Sequence, residues 1–248
     1  CTFRYSELKD EAQAASAFEL CAKYSLEDEF KPDVLSTALN NLGTIYMKKE
    51  GTLKQAMHYL GESIKVDPER YSAHANMGEV LSRLGDRPGA IRHYKAATEI
   101  KENADVHNNW GIAIYQQHVQ RGDEAAKSAK ATQSKKTKKT TKKKAKADSS
   151  VEARVLDDVL WHYRQAMHLD PNHGNAHHNA GKVLYHRRDF DGAAEAFGRC
   201  TKLVPEKGLY AYDFALALLR RGRIEDRPLA AEHLHRAIAS KDPTVDVM

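Results

Sequence analysis

Cysteine is scarce: Cys1, Cys21 and Cys200 are the only three in 248 residues. An odd, widely spaced set argues against a disulfide framework or a zinc motif. Cys200 and Cys21 read instead as small core residues in a reducing compartment. No apolar run approaches the roughly 20 residues needed to span a bilayer. No secretory signal is visible, and the opening Cys1 in place of Met reads as a fragment or a processed chain. No nucleophile motif, Walker loop or dinucleotide fingerprint occurs, so no catalytic residue and no cofactor is expected. Acidic residues are missing altogether between Glu124 and Asp148.

What the chain does contain is a recurring box. Ala38-Leu39-Asn40-Asn41-Leu42-Gly43 returns as Ala73-His74-Ala75-Asn76-Met77-Gly78, then as Val106-His107-Asn108-Asn109-Trp110-Gly111. It recurs as Ala176-His177-His178-Asn179-Ala180-Gly181, and in degraded form as Tyr210-Ala211-Tyr212-Asp213-Phe214-Ala215. Each box is followed by a second apolar pattern. Ala56 and Leu60 lead to Pro68, Val159 and Tyr163 to Pro171, and Ala193 and Phe197 to Pro205. Ala90 and Tyr94 lead to Glu102, where a proline would stand. Spacings of three and four put these residues on one helical stripe, and proline stops the second helix. Gly43, Gly78, Gly111 and Gly181 hold one phase although Gly costs roughly 1 kcal/mol against Ala inside a helix. That persistence predicts close helix–helix approach, with Ala56, Ala90 and Ala193 serving the same need on the second helix and Tyr94, Tyr163 and Phe197 filling the space between.

A period near 34 with small and aromatic residues at fixed offsets resembles the tetratricopeptide repeat (TPR) family. The resemblance implies an all-α solenoid, a right-handed superhelix of helix-turn-helix repeats whose first helices line a concave face. Residues 1–35 then form an N-terminal helix, either a remnant repeat or a cap. Residues 36–120 hold repeats 1 and 2 and the first helix of repeat 3. Residues 153–243 hold its second helix with repeats 4 and 5, and 244–248 form a tail. The stretch 121–152 carries ten lysines from Lys127 to Lys146 and almost no large apolar residue, so it is expected to be a disordered insertion. Without those ten the chain has 29 basic against 34 acidic residues, and the body is mildly acidic. The tract reads first as a solvated insertion. Nuclear localisation through Lys135–Lys146, or contact of 127–146 with nucleic acid or an anionic membrane, are the alternatives.

Asn41, Asn76, Asn109 and Asn179 each stand two residues before the boxed Gly, and Asp213 holds the place in the fifth repeat. A carboxamide both donates and accepts, so it can pair with a peptide backbone whatever the side chains. The row resembles the asparagine ladder in the TPR region of O-linked N-acetylglucosamine transferase, which implies contact with a partner backbone. The alternative is local helix contacts. The two-carboxylate clamp of other TPR arrays needs cations where this chain has Asn40, Thr44, Asp105 and Asn108, and that mode is rejected. His173 and His177 are spaced to share a metal, but His74, His107 and His177 occupy one repeat position where an aromatic packs, so no metal is expected. The reading is therefore a non-catalytic scaffold, cytoplasmic or nuclear, binding a peptide or partner protein. Its alternative is the TPR substrate-recognition portion of a larger, membrane-attached protein glycosyltransferase of O-GlcNAc or O-mannosyl type, with catalysis on other sequence.

Overall fold

The computed structural model describes residues 14–20, 32–131 and 138–240, with backbone alone at 125–126, 128–131 and 138–149. Every regular element among them is helical. None of these helices is long and apolar enough to cross a membrane. The chain divides into two units, residues 1–117 and 118–248, each built from antiparallel helix pairs.

In the first unit α1 (14–20) precedes α2 (Pro32–Lys48), α3 (Leu53–Val66), α4 (Tyr71–Leu84), α5 (Arg87–Ile100) and the start of α6 (Ala104–Ala131). Ala14 and Phe18 of α1 pack on Ala38, Leu42 and Ile45. Met47, Ala56, Leu60, Met77 and Val80 join the first pair to the second. Ala90, Tyr94 and Ala97 then meet Val106, Trp110 and Ala113.

The second unit contains α7 (Lys138–Leu169), α8 (Gly174–His186), α9 (Phe190–Leu203), α10 (Gly208–Arg221), a 3-10 turn (Ile224–Asp226) and α11 (Arg227–Ala239). Its core joins Ala193, Phe197 and Cys200 of α9 to Tyr210, Ala215 and Leu218 of α10 and to Ala230 of α11. Within 121–152, α6 continues to Ala131 and α7 begins at Lys138. Lysine and alanine are strong helix formers, and their propensity extends both helices into a segment with little to bury. Residues 132–137, like 1–13, 21–31 and the 244–248 tail, lie outside the described residues.

The repeated glycine has a steric cause. A Cβ on Gly78 would stand 2.6 Å from the Tyr94 ring, and one on Gly181 would stand 2.6 Å from the Phe197 ring. On Gly43 it would meet Leu60 at 2.5 Å. Tyr94 and Phe197 are each 2% exposed, and burying such a ring stabilises by roughly 1.5–3 kcal/mol. That outweighs the roughly 1 kcal/mol that Gly costs the helix.

The pairs are also tied through polar groups. Ser36 and Ser63, both fully buried, satisfy each other: Ser63 Oγ donates to the Ser36 carbonyl at 2.7 Å, and Ser36 Oγ to the Ser63 carbonyl at 3.1 Å. Arg70 Nε donates to Ser36 Oγ at 2.5 Å. Across first helices, the Asn76 amide donates to Asn40 Oδ1 and to Thr44 Oγ1, each at 3.1 Å. Turns reuse one device. Asp86 and Asp189 each accept the backbone N–H three residues on, at 3.0 Å, capping α5 and α9. The position seven residues after the small residue is left-handed at Gly85 (φ 87°), Gly222 (φ 79°) and Arg188 (φ 63°).

Two predictions follow from these contacts. Gly78→Ala should lose about 1–2 kcal/mol, because overpacking against an immovable ring exceeds the helix-propensity gain. Gly122→Ala, with nothing within 4 Å of the added methyl, should be neutral or stabilising by up to about 1 kcal/mol; urea unfolding reads both. Asn76→Ala should lose about 1–3 kcal/mol by orphaning the buried Asn40 oxygen. Asn41→Ala, whose side chain makes no hydrogen bond among the described residues, should stay within about 0.5 kcal/mol in the same assay.

Candidate functional site

The five residues of the asparagine row sit at one phase of the first helices: Asn41 on α2, Asn76 on α4, Asn109 on α6, Asn179 on α8 and Asp213 on α10. All five are half-buried. Burial at this level leaves room for a ligand while restricting side-chain rotamers.

The hydrogen-bond capacity of the row is partly used by the fold. Both Asn76 amide hydrogens go to Asn40 and Thr44, which leaves its Oδ1 as an acceptor. Asn109 Oδ1 accepts from Asn108 at 3.2 Å, which leaves the Asn109 amide as a donor. Asp213 Oδ2 accepts from His178 Nε2 at 2.7 Å, and the imidazole stacks on Tyr210 with centroids 4.3 Å apart. A residue of the row thus reaches back to the residue preceding the row position in the previous repeat, Asn76 to Asn40 and Asp213 to His178. Asn76 and Asn109 thereby keep one hydrogen-bonding function apiece where the sequence suggested two. Asn40, Thr44 and His178 are the residues that sequence reasoning left out of this network. The recurrence of polar residues one position before the row was the available signal.

The repeat-position histidines hold turns as well as pack: His107 is 2% exposed and stacks on Trp110 with centroids 6.2 Å apart. His74 Nε2 donates to the Pro68 carbonyl at 3.1 Å, and His177 Nε2 to the Pro171 carbonyl at 3.0 Å. In the repeat that carries Glu102 in place of proline, His107 Nε2 donates to Glu102 Oε2 at 2.5 Å. Each pins the turn that enters its helix. His173 accepts the Ala176 N–H at 3.1 Å as the N-cap of α8. Both members of the candidate metal pair are thereby engaged in holding backbone.

Cys200 is fully buried in the α9–α10 core. Burial, the dominant cause, pushes its thiol up to about 12, so it remains a neutral packing group. Cys1 and Cys21 lie outside the described residues. Of the lysines in 127–146, Lys127 alone has a described side chain, and it is exposed.

With this geometry in hand, the likeness to known proteins can be placed. A tetratricopeptide repeat profile matches residues 36–70, which take in α3 and nearly all of α2. The human Tetratricopeptide repeat protein 6 is 23% identical over 160 residues, 64% of this chain. The chain spans 24% of the length of that curated relative. Among solved structures, YrrB, a TPR protein with an unusual peptide-binding site, superposes with a TM-score of 0.58 at 17% identity, over 92% of this chain and 93% of its own. PilF of Pseudomonas aeruginosa superposes with a TM-score of 0.61 at 19% identity, over 83% and 78% respectively. Likeness at these identities is likeness of fold. Pair after pair, the small residue of one helix receives the large residue of the next, and the repeat profile falls on the first of these pairs: the fold is that of the tetratricopeptide repeat proteins.

Proposed function

We propose that the chain is a non-catalytic interaction scaffold whose first helices take an extended segment of a partner protein, its backbone contacted by Asn41, Asn76 and Asn109 in the first unit and by Asn179 and Asp213 in the second. The observation that carries this reading is the row itself. Five half-buried polar side chains recur at one phase of successive first helices, and Asn76, Asn109 and Asp213 each retain a hydrogen-bonding group after serving the fold.

Chemistry and spacing agree with that use. First helices of neighbouring pairs pack about 8–10 Å apart, and an extended chain advances about 3.3 Å per residue. Within each unit, every third peptide unit of a partner would meet one side chain of the row. Asn76 would accept a peptide N–H, and Asn109 would donate to a peptide carbonyl. Contacts of this kind read backbone and not sequence, so specificity must come from other residues of the same face. The fold of YrrB, described with a peptide-binding site of its own, is compatible with this role.

The test is a displayed-peptide selection against the intact chain, followed by titration calorimetry of the selected peptide with the Asn41→Ala/Asn109→Asp variant. Aspartate keeps the acceptor that Asn108 uses and removes the donor offered to the peptide. Affinity should fall about tenfold or more, the equivalent of one or two hydrogen bonds, with the thermal midpoint unchanged. Equal affinity in a folded variant would remove the row from the binding face.

A further inference from the structure

Seven residues beyond the row, two helical turns along the same face, the first helices of the second unit carry His186 and Arg220. There they border an open cleft of about 470 Å³ lined by Tyr185, His186, Arg188, Phe190 and Arg220. Its floor is aromatic: Tyr185 and Phe190 meet edge to face with centroids 5.3 Å apart. Its rim is cationic, and no carboxylate lines it.

The nearby acids are already engaged. Asp191 pairs with Arg223 at 2.6 Å, Asp226 with Arg221 at 2.5 Å, and Asp189 caps α9. Among the described residues neither Arg188 nor Arg220 forms an ion pair with a carboxylate. Arg220 Nε donates to the Tyr185 hydroxyl at 3.2 Å, which ties the guanidinium to the edge of the aromatic pair. A second observation is independent of charge. Arg188 adopts φ 63° at the phase where Gly85 and Gly222 supply the left-handed residue. A non-glycine residue pays strain in that conformation, and the strained position here is the one that places a cation on the rim.

We infer that this cleft binds an acidic segment of a partner protein: a carboxylate held between Arg188 and Arg220, with a neighbouring apolar side chain of the segment against Tyr185 and Phe190. Guanidinium groups match carboxylate geometry with paired donors, and aromatic rings add contact area without loss of much side-chain freedom. The C-termini of α8 and α10 point their partial negative charge at the same region, which favours a singly charged carboxylate over a dianionic phosphate. The site stands on the chemistry of the cleft alone and does not depend on what the asparagine row binds.

The test uses the intact, isotope-labelled chain titrated with the hexapeptide Glu-Phe-Glu-Glu-Phe-Glu, followed by backbone amide chemical shifts. Site-resolved peaks separate the cleft from the lysine tract, which attracts any polyanion. Saturable shifts are expected at residues 185–190 and 217–222. The affinity read from them should fall about tenfold in Arg188→Gly/Arg220→Gln, as charge-assisted bonds are lost, and should be unchanged in Lys202→Gln. Glycine accepts the φ of Arg188, so the double variant keeps its fold. Shifts confined to 127–146, equal affinity in the double variant, equal binding of the hexapeptide with glutamine in place of glutamate, or displacement of the hexapeptide by inorganic phosphate would each overturn the proposal.

Discussion

Close approach of two helix backbones, made possible by one missing methyl group, is the constraint on which each pair depends. At Gly78 and Gly181 the first helix comes so near the second that a ring of Tyr94 or Phe197 lies where a Cβ would be. The ring is thereby sealed from water on a helix that has no other large residue at that depth. The contact explains why a poor helix former recurs in the middle of good helices. It also explains the apparent exception in the fifth repeat, where Ala215 takes the glycine phase within the α9–α10–α11 core.

Polar groups at the junctions between pairs serve two masters. Ser36 with Ser63, and Asn76 with Asn40 and Thr44, satisfy one another where burial would otherwise make each an unpaired donor or acceptor. The asparagine row therefore contributes to the stacking of repeats and, in the proposed function, to ligand binding. A row that was wholly free would be more versatile but would hold its side chains less firmly. A row that was wholly engaged would have nothing left to offer. The partial engagement seen at Asn76, Asn109 and Asp213 lies between these limits, and it makes each position either a donor or an acceptor.

Much of this was legible in the sequence because repeats are local objects. The spans of α3 and α4, the glycine phase and its large partners, and the buried place of Cys200 all follow from spacings within about 35 residues. What was not legible depends on contacts across repeats or on backbone state. Nothing in the order of residues says that the amide of Asn76 turns back to Asn40, or that His74 and His177 hold proline carbonyls. Arg188 looks like an ordinary turn residue until its φ is known. The lysine-rich stretch has few apolar residues to bury, and its helix propensity carries α6 and α7 into it from both sides.

The central claim is that the small residue on the first helix and the large residue on the second form one unit of packing. A double-mutant cycle between Gly181→Ala and Phe197→Leu, read by urea unfolding, tests it most directly. A flexible leucine can yield to the added methyl where the phenyl ring cannot, so the double variant should be more stable than the sum of the single changes, with a coupling of about 1–2 kcal/mol. Additivity within about 0.5 kcal/mol would mean that the two positions do not sense each other and would contradict the account.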